Sequence, residues 1–232
     1  MQQPTTPPPL VELRSLYKYH KTRDLQTAAL NGINLHIRTG EFVAITGPSG
    51  SGKSTLLNVL GLIDEPSKGT YLFGGQDTGR LSHGGRSRLR KERMGFVFQS
   101  FNLIDELTAE ENVELPLIYQ KVAVRERRER VAAALAELEM NHRAGHYPRQ
   151  LSGGQQQRIA IARAIVTRPA VILADEPTGN LDSENSRVVM EKLTDFHRTG
   201  STIVMVTHSP EDAAYASRQV RLFDGMELIP ES

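Results

Sequence analysis

The residues from Gly47 to Ser54, which read GPSGSGKS, have the types and the spacing that hold the phosphates of a nucleotide. Glycines let the backbone curl until successive N–H groups point at one anion. Lys53 is expected to reach the β- and γ-phosphates, and the Ser54 hydroxyl is expected to bind Mg²⁺. This phosphate loop therefore predicts a site for a nucleoside triphosphate and Mg²⁺.

The residues on either side of the phosphate loop support this interpretation. Residues 41–46 form a short apolar run that is typical of a buried strand, and residues 55–60 begin a helix. The motif needs a strand before it and a helix after it, because the helix N-terminus adds its partial positive charge to the site. A chance match on a surface loop would lack these neighbours.

Two carboxylates, Asp175 and Glu176, follow the apolar run Val171–Ala174. A charge at the tip of a buried strand is costly without a partner, and Mg²⁺ would supply that partner. Asp175 is therefore predicted to bind the metal, directly or through water. Glu176 is predicted to lie on the γ-phosphate side and to polarise the attacking water.

Gln99 and His208 end two further predicted strands. The amide of Gln99 can bridge the metal and the water, and His208 can donate to the γ-phosphate. Either residue alone would more often be an ordinary polar strand end, but their shared position favours a functional role. The predicted catalytic residues are Glu176, His208, Gln99 and Lys53, and the predicted metal ligands are Ser54, Gln99 and Asp175.

A second candidate anion site lies at Leu151–Gln155, which reads LSGGQ. Ser152 and Gln155 have the spacing of a capping box at the start of a helix. The two glycines between them leave backbone amides open to an anion. Because the chain already has a phosphate loop, two half-sites for one triphosphate predict a dimer in which each subunit completes the site of the other.

Strands and helices alternate along most of the chain, which predicts an α/β fold with a mainly parallel sheet. Residues 10–16 and 33–37 alternate apolar and polar side chains around an Asn31–Gly32 turn signal, and they predict a small N-terminal antiparallel sheet. Thr108–Glu111 is a capping box that opens a helical stretch. We therefore predict an inserted α-helical subdomain at about residues 100–165.

Composition limits the class of protein. The 232 residues carry a formal net charge of +1 and include no cysteine, so a nucleic-acid-coating protein and a disulfide scaffold are both disfavoured. No apolar run approaches the ~20 residues of a membrane span, and no signal peptide is evident. We expect a proline-rich disordered tail at 1–9, a single domain at 10–232, and a cytoplasmic location. Any membrane span would belong to another polypeptide.

Taken together, these motifs resemble those of the P-loop ATPases of ATP-binding cassette (ABC) transporters. The resemblance covers nearly the whole chain after residue 9, and it identifies Leu151–Gln155 as the signature, Gln99 as the Q-loop residue, residues 180–182 as the D-loop and His208 as the switch histidine. It implies ATP as the substrate and a head-to-tail homodimer that sandwiches two ATP molecules. The residues assigned to the nucleotide are Tyr19, Gly47, Pro48, Ser49, Gly50, Ser51, Gly52, Lys53, Ser54, Thr55, Ser152, Gly153, Gly154, Gln155 and Asp182.

Within that family, residues 95–103, 111–117 and 175–182 are similar to the MacB/LolD-like group. This similarity implies a MacB/FtsX-like permease on a separate chain, in macrolide or peptide efflux or in lipoprotein release. It also implies a peripheral location on the cytoplasmic face of the inner membrane, with residues 100–117 touching the permease. An aromatic residue is expected to stack on adenine, and either Tyr19 or Tyr17 fits.

Two other functions remain open at this stage. The first is an ABC ATPase that acts on ribosomes or DNA without a permease, and the single uninterrupted cassette disfavours it. The second is a small-molecule P-loop kinase, which leaves the signature at Leu151–Gln155 unexplained. No nucleic-acid partner is expected.

Overall fold

The computed structural model describes residues 8–21 and 26–228, so most of the predicted tail at 1–9 lies outside the described residues. The described strands are β1 (Val11–Lys21), β2 (Gln26–Ile37), β3 (Phe42–Thr46), β4 (Lys68–Phe73), β5 (Gln76–Asp77), β6 (Met94–Phe98), β7 (Val171–Asp175), β8 (Thr202–Val206), β9 (Arg218–Phe223) and β10 (Met226–Leu228). The described α-helices are α1 (Lys53–Leu60), α2 (His83–Arg93), α3 (Ala109–Tyr119), α4 (Val124–Glu137), α5 (Gly153–Ile165), α6 (Ser183–Arg198) and α7 (Pro210–Ala213).

The larger sheet has the strand order β10-β9-β3-β8-β7-β6, and all its neighbours are parallel except β10 and β9. Successive residues of β3 enter opposite cores: Phe42 and Ala44 pack in one apolar cluster, and Val43 and Ile45 pack in the other. This alternation follows from the two-residue period of a strand. Both faces of the sheet are therefore buried, which confirms the predicted α/β fold with a mainly parallel sheet.

The smaller sheet is antiparallel, in the order β2-β1-β4-β5, as predicted for the N-terminal part. The turn expected at Asn31–Gly32 is wrong, because β2 runs through both residues. Gly32 adopts a φ of +72°, and a Cβ placed there would lie 3.3 Å from the Tyr17 hydroxyl. Pairing with β1, which has register shifts between Leu16 and Tyr19, absorbs the irregular backbone.

Helices α3, α4 and α5 bury their apolar residues in one cluster, represented by Val113, Leu135 and Ile159. The capping box at the start of α3 is confirmed: Glu111 accepts from the Thr108 backbone N–H over 2.7 Å, and the Thr108 hydroxyl accepts from the Glu111 N–H over 3.3 Å. The limits of a helical subdomain at about residues 100–165 stay a prediction.

Helix α2 accounts for the basic run of residues 86–93, and it contains no buried residue. Arg88, Lys91 and Arg93 are exposed, whereas Arg90 is half-buried and its Nη1 donates to the Leu62 carbonyl over 2.6 Å. Within residues 8–21 and 26–228, no helix combines the length and the apolar character needed to cross a bilayer.

Candidate nucleotide site

Four neighbouring parallel strands end at the same edge of the larger sheet. In register, Ile45 on β3 pairs with Val206 on β8, Val206 pairs with Asp175 on β7, and Asp175 pairs with Phe98 on β6. The residues that follow these strand ends must therefore lie near one another. The phosphate loop, His208, Glu176 and Gln99 all follow these ends.

The phosphate loop has the backbone that its glycines predict. Gly52 caps α1 with a φ of +96°, and a Cβ placed there would lie 2.4 Å from the Ala29 carbonyl oxygen, so only glycine fits. A Cβ at Gly50 would meet nothing within 4 Å. The loop is therefore closely packed on the β2 side and open above Gly50, where an anion could approach the amides of the helix N-terminus.

The Lys53 side chain is 7% exposed and lies along the phosphate loop. Its amine donates to the carbonyl oxygens of Gly47 and Pro48, each over 2.9 Å. These bonds satisfy a buried ammonium group with neutral acceptors only. A phosphate oxygen in the loop would offer this cation a stronger, charged partner.

The carboxylate of Asp175 lies beside the loop, and the Ser54 hydroxyl donates to its Oδ1 over 3.3 Å. The pKa of Asp175 lies above its usual value, mainly because the carboxylate is buried and also because Glu176 is close to it. The Ser54 hydrogen bond and the charge of Lys53 lower the pKa but do not cancel this upward shift. An ionised carboxylate here therefore lacks sufficient positive charge. A hydroxyl and a carboxylate at this distance form an oxygen donor set that fits Mg²⁺.

Glu176 is held by the backbone in a strained conformation, with a φ of +45°. Its N–H donates to the Val206 carbonyl over 2.9 Å, which fixes the residue between β7 and β8. Its Oε1 lies 3.1 Å from Nδ1 of His208, and the two side chains are 24% and 66% exposed, respectively. Strain of this kind is concentrated at functional sites, and here it turns Glu176 toward His208.

These residues surround a cleft of about 500 Å³. The residues that line it are Ala29, Ser49, Gly50, Gly52, Lys53, Ser54, Thr55, Glu176 and His208. The structure thus brings together three of the four predicted catalytic residues, Lys53 of the phosphate loop, Glu176 and His208, and Asp175 is joined to them through Ser54. The described lining includes none of Gln99, Tyr19, Asp182 or the signature residues.

Gln99 instead contacts the D-loop. Its Nε2 donates to Asn180 Oδ1 over 3.2 Å, and the Asn180 amide donates back to the Gln99 carbonyl over 3.0 Å. A Cβ placed at Gly179 would lie 2.7 Å from Gln99 Nε2, so the glycine leaves room for the glutamine. The role of Gln99 as a metal ligand stays a prediction.

The signature forms the predicted capping box. The Ser152 hydroxyl accepts from the Gln155 N–H over 3.3 Å, and Gln155 Oε1 accepts from the Ser152 N–H over 3.0 Å. A Cβ at Gly153 would lie 3.5 Å from Leu181, whereas a Cβ at Gly154 would lie 1.9 Å from Asn185 Oδ1. The signature therefore packs on the segment 180–185 and lies outside the cleft formed by its own phosphate loop.

Asp182 caps α6 instead of facing the cleft. Its carboxylate accepts from the Asn185 N–H over 2.8 Å and from the Asn185 side-chain amide at both oxygens. The backbone hydrogen bond from Asn185, followed by the side-chain bond, holds the pKa of Asp182 below its usual value. Its assignment to the nucleotide stays a prediction.

The two candidate adenine-stacking tyrosines lie on β1, with ring centroids 6.1 Å apart. Tyr19 pairs with Ala28 on β2, next to Ala29 in the lining of the cleft. The Tyr17 hydroxyl packs against Gly32. Neither ring belongs to the described lining of the cleft, so the stacking role of Tyr19 or Tyr17 stays a prediction.

Sequence reasoning did not identify Ala29 or Asn185. Ala29 enters the cleft because β2 crosses the phosphate loop, and a lone alanine carries no local signal for that. Asn185 touches both Asp182 and Gly154. The N-cap spacing from Asp182 could have predicted the first contact but not the second.

Comparison with known proteins agrees with this geometry. The ABC transporter family matches residues 30–179. The chain is 49% identical over 227 residues to the macrolide export ATP-binding/permease protein MacB of Marinobacter nauticus, covering 98% of this chain and 35% of that protein. It is 46% identical to the uncharacterized ABC transporter ATP-binding protein YvrO of Bacillus subtilis, covering 96% of this chain and 97% of that one.

Solved structures give the same result. The chain superposes with a TM-score of 0.88 and 44% identity on a dimeric post-hydrolysis state of the ATP-binding cassette MJ0796 bound to ADP and Pi, covering 96% of this chain and 98% of that one. It spans about a third of the length of the MacB relatives, at 35% of the Marinobacter protein. The chain therefore belongs to the ABC transporter family and is an ATP-binding, ATP-hydrolysing cassette related to those of the MacB proteins.

Proposed function

We propose that the chain dimerises head to tail on ATP and that each nucleotide is enclosed by one subunit's phosphate loop and the other's signature. The observation that carries the proposal is the position of Gly153 and Gly154 beside residues 180–185, outside the cleft lined by Lys53. Two anion-binding surfaces that cannot share a phosphate within one chain can share one across a dimer. The similar MJ0796 cassette is described as dimeric.

The residues of the cleft then divide the chemistry. Glu176, set by its positive φ and paired with His208, accepts the proton of the attacking water. Lys53 and His208 are aimed at the phosphate oxygens. Ser54, Asp175 and Gln99 are the proposed ligands of Mg²⁺, which would neutralise charge on the phosphates when bound. The Gln99 assignment requires its side chain to leave Asn180.

The proposed partner is a MacB/FtsX-like membrane permease on a separate chain, which would place the cassette on the cytoplasmic face of the inner membrane. The surface proposed for it is a groove of about 720 Å³ that includes Leu115 and Pro116 from the segment 100–117. Tyr119 and Ile63 also line it and are 63% and 51% exposed, respectively. Large exposed apolar side chains around a groove are typical of a protein interface. Macrolide or peptide efflux and lipoprotein release are the proposed processes.

The dimer is tested with Glu176→Gln, which removes the proton acceptor but keeps the shape of the side chain. We expect this variant to elute as a dimer with ATP and Mg²⁺ in size-exclusion chromatography with light scattering, because ATP binds without being consumed. Glu176→Gln combined with Gly153→Asp places a carboxylate among the signature amides, and we expect that matched control to remain a monomer. A monomeric Glu176→Gln protein under these conditions would refute the sandwich.

The permease surface is tested separately with Tyr119→Arg. We expect the variant to dimerise on ATP as the unmodified chain does but to lose co-purification with a MacB/FtsX-like permease from membranes. Phe223→Arg, at another exposed apolar residue with 46% exposure, serves as the control. Equal recovery of the permease with Tyr119→Arg and with the unmodified chain would contradict the assigned groove.

A further inference from the structure

The segment that follows Gln99 has an unusual backbone. Phe101 and Asn102 are consecutive and adopt positive φ angles of 59° and 51°. Asparagine tolerates the left-handed region, but phenylalanine rarely adopts it because its Cβ crowds the backbone. Two such residues in a row persist only where neighbouring groups hold them.

Arg163 on α5 is the group that holds them. Its Nη2 donates to the Phe101 carbonyl over 2.8 Å, and its Nη1 donates to the Asn102 carbonyl. Burial lowers the pKa of Arg163, so this guanidinium has given up part of its hydration for the two carbonyls. The planar guanidinium can donate to two adjacent carbonyls from two different nitrogens. A lysine has only one nitrogen at its tip and does this less well.

Helix α5 also contacts the chain before Gln99. Gln157 is fully buried, and its Nε2 donates to the Phe98 carbonyl over 3.4 Å and to the Pro177 carbonyl. The Phe101 ring lies against the start of the same helix, since a Cβ at Gly153 would be 3.6 Å from its Cζ. One helix therefore holds the chain on both sides of Gln99 and carries the signature at its N-terminus.

We propose that Arg163 is a positioning residue for ATP hydrolysis: it fixes residues 101–102 to α5, so that Gln99 and the signature keep one relative position. Arg163 is outside the described lining of the cleft and acts through Gln99. The proposal rests on the proposed role of Gln99 at the nucleotide. A displacement of the segment 100–117 would then be passed to the signature through this guanidinium.

The first test is hydrogen exchange of the full chain without nucleotide. In Arg163→Ala we expect amides of residues 99–104 to exchange at least about tenfold faster, because tenfold is the factor for losing one charged hydrogen bond and the substitution removes two, while β8 keeps its protection. In Arg163→Lys the exchange rate of these amides should lie between that of Arg163→Ala and that of the unmodified chain. Arg198→Ala, whose side chain is 74% exposed at the end of α6, is the matched control and should match the unmodified chain. Unchanged exchange at 99–104 in Arg163→Ala overturns the proposal.

The second test is a double-mutant cycle on kcat. Because Arg163 acts through Gln99, Arg163→Ala should lower kcat about tenfold in the unmodified chain and have little further effect in a Gln99→Ala background. If the double variant instead loses kcat by the product of the factors of Arg163→Ala and Gln99→Ala, the proposal is overturned. An unchanged kcat for Gln99→Ala would instead show that the proposed role of Gln99 is wrong, and the exchange test separates the two failures.

Discussion

The two signature glycines differ in the space available to a side chain, and a substitution at each should reveal the difference. A Cβ at Gly154 would lie 1.9 Å from Oδ1, 2.4 Å from Cγ and 2.9 Å from Cβ of Asn185. At Gly153 the nearest atom would be Leu181 Cδ2, at the ordinary contact distance of 3.5 Å. Asn185 cannot simply turn away, because its amide donates to both oxygens of Asp182.

The size of the effect follows from these contacts. Inserting a methyl group into packed space costs about 1–3 kcal/mol, whereas replacing a helical glycine by alanine gains about 0.5–1 kcal/mol. We therefore expect Gly154→Ala to lower the free energy of unfolding by about 1–2 kcal/mol. Gly153→Ala has no clash, so it should leave the free energy of unfolding unchanged or raise it by up to about 1 kcal/mol.

Urea unfolding of the nucleotide-free chain measures both changes. The cause is isolated by Asn185→Gly, which removes all three clashing atoms. In that background, Gly154→Ala should be neutral or stabilising, because only the gain in helix propensity remains. Equal destabilisation by Gly154→Ala with and without the Asn185 side chain would refute the steric explanation.

Two further predictions concern side-chain contacts beside the ends of strands in the larger sheet. Burial raises the pKa of Glu41, but hydrogen bonds from Arg218 and from the Arg38 backbone outweigh burial and leave the pKa lowered. The carboxylate therefore stabilises the fold above its unfolded pKa of about 4.5, and this stability disappears as pH falls through the folded pKa. Glu41→Gln should lower the free energy of unfolding by about 1–2 kcal/mol at pH 7 and by less at pH 4. Chemical unfolding at the two pH values measures the difference. The Thr178 hydroxyl donates to the buried Asp212 carboxylate, which links the turn after β7 to the helix after His208. Thr178→Val should cost about 1–3 kcal/mol and lower kcat.

Each of these predictions has a matched control. Glu12→Gln removes a carboxylate that is paired with an exposed Arg14, and it should change stability less than Glu41→Gln does. An equal loss for Glu41→Gln at pH 7 and pH 4 would contradict the pH argument. Thr194→Val removes a half-buried hydroxyl whose partner is a helix carbonyl, Met190, and it should preserve kcat. Thr178→Val with unchanged stability would contradict the stated role of its hydroxyl.

Local motifs were predictable because their geometry depends on neighbouring residues. The phosphate loop between β3 and α1 is set by glycines and a helix start a few residues apart, and the capping boxes at Thr108 and Ser152 join residues three positions apart. The alternation of strands and helices likewise predicted a mainly parallel sheet, and parallel strands bring their carboxyl ends to one edge. The grouping of Lys53, Ser54, Glu176 and His208 follows from that rule.

Longer-range contacts were not predictable in the same way. The Asn31–Gly32 signal predicted a turn, but pairing with β1 keeps both residues in β2, because a register shift in β1 and the contact with Tyr17 accommodate the positive φ of Gly32. The contact between Gln99 and Asn180 joins two loops that are distant in sequence. Neither residue carries a local pattern for such a contact.

The sequence by itself therefore predicted two phosphate-binding segments, at residues 47–54 and at residues 151–155. Only the tertiary structure decided that the two sites are separate. The phosphate loop opens into the cleft with Glu176 and His208, whereas the signature packs on Leu181 and Asn185. The physical reason is that a local backbone conformation can create an anion site, but only the packing of helices on the sheet fixes which way that site faces.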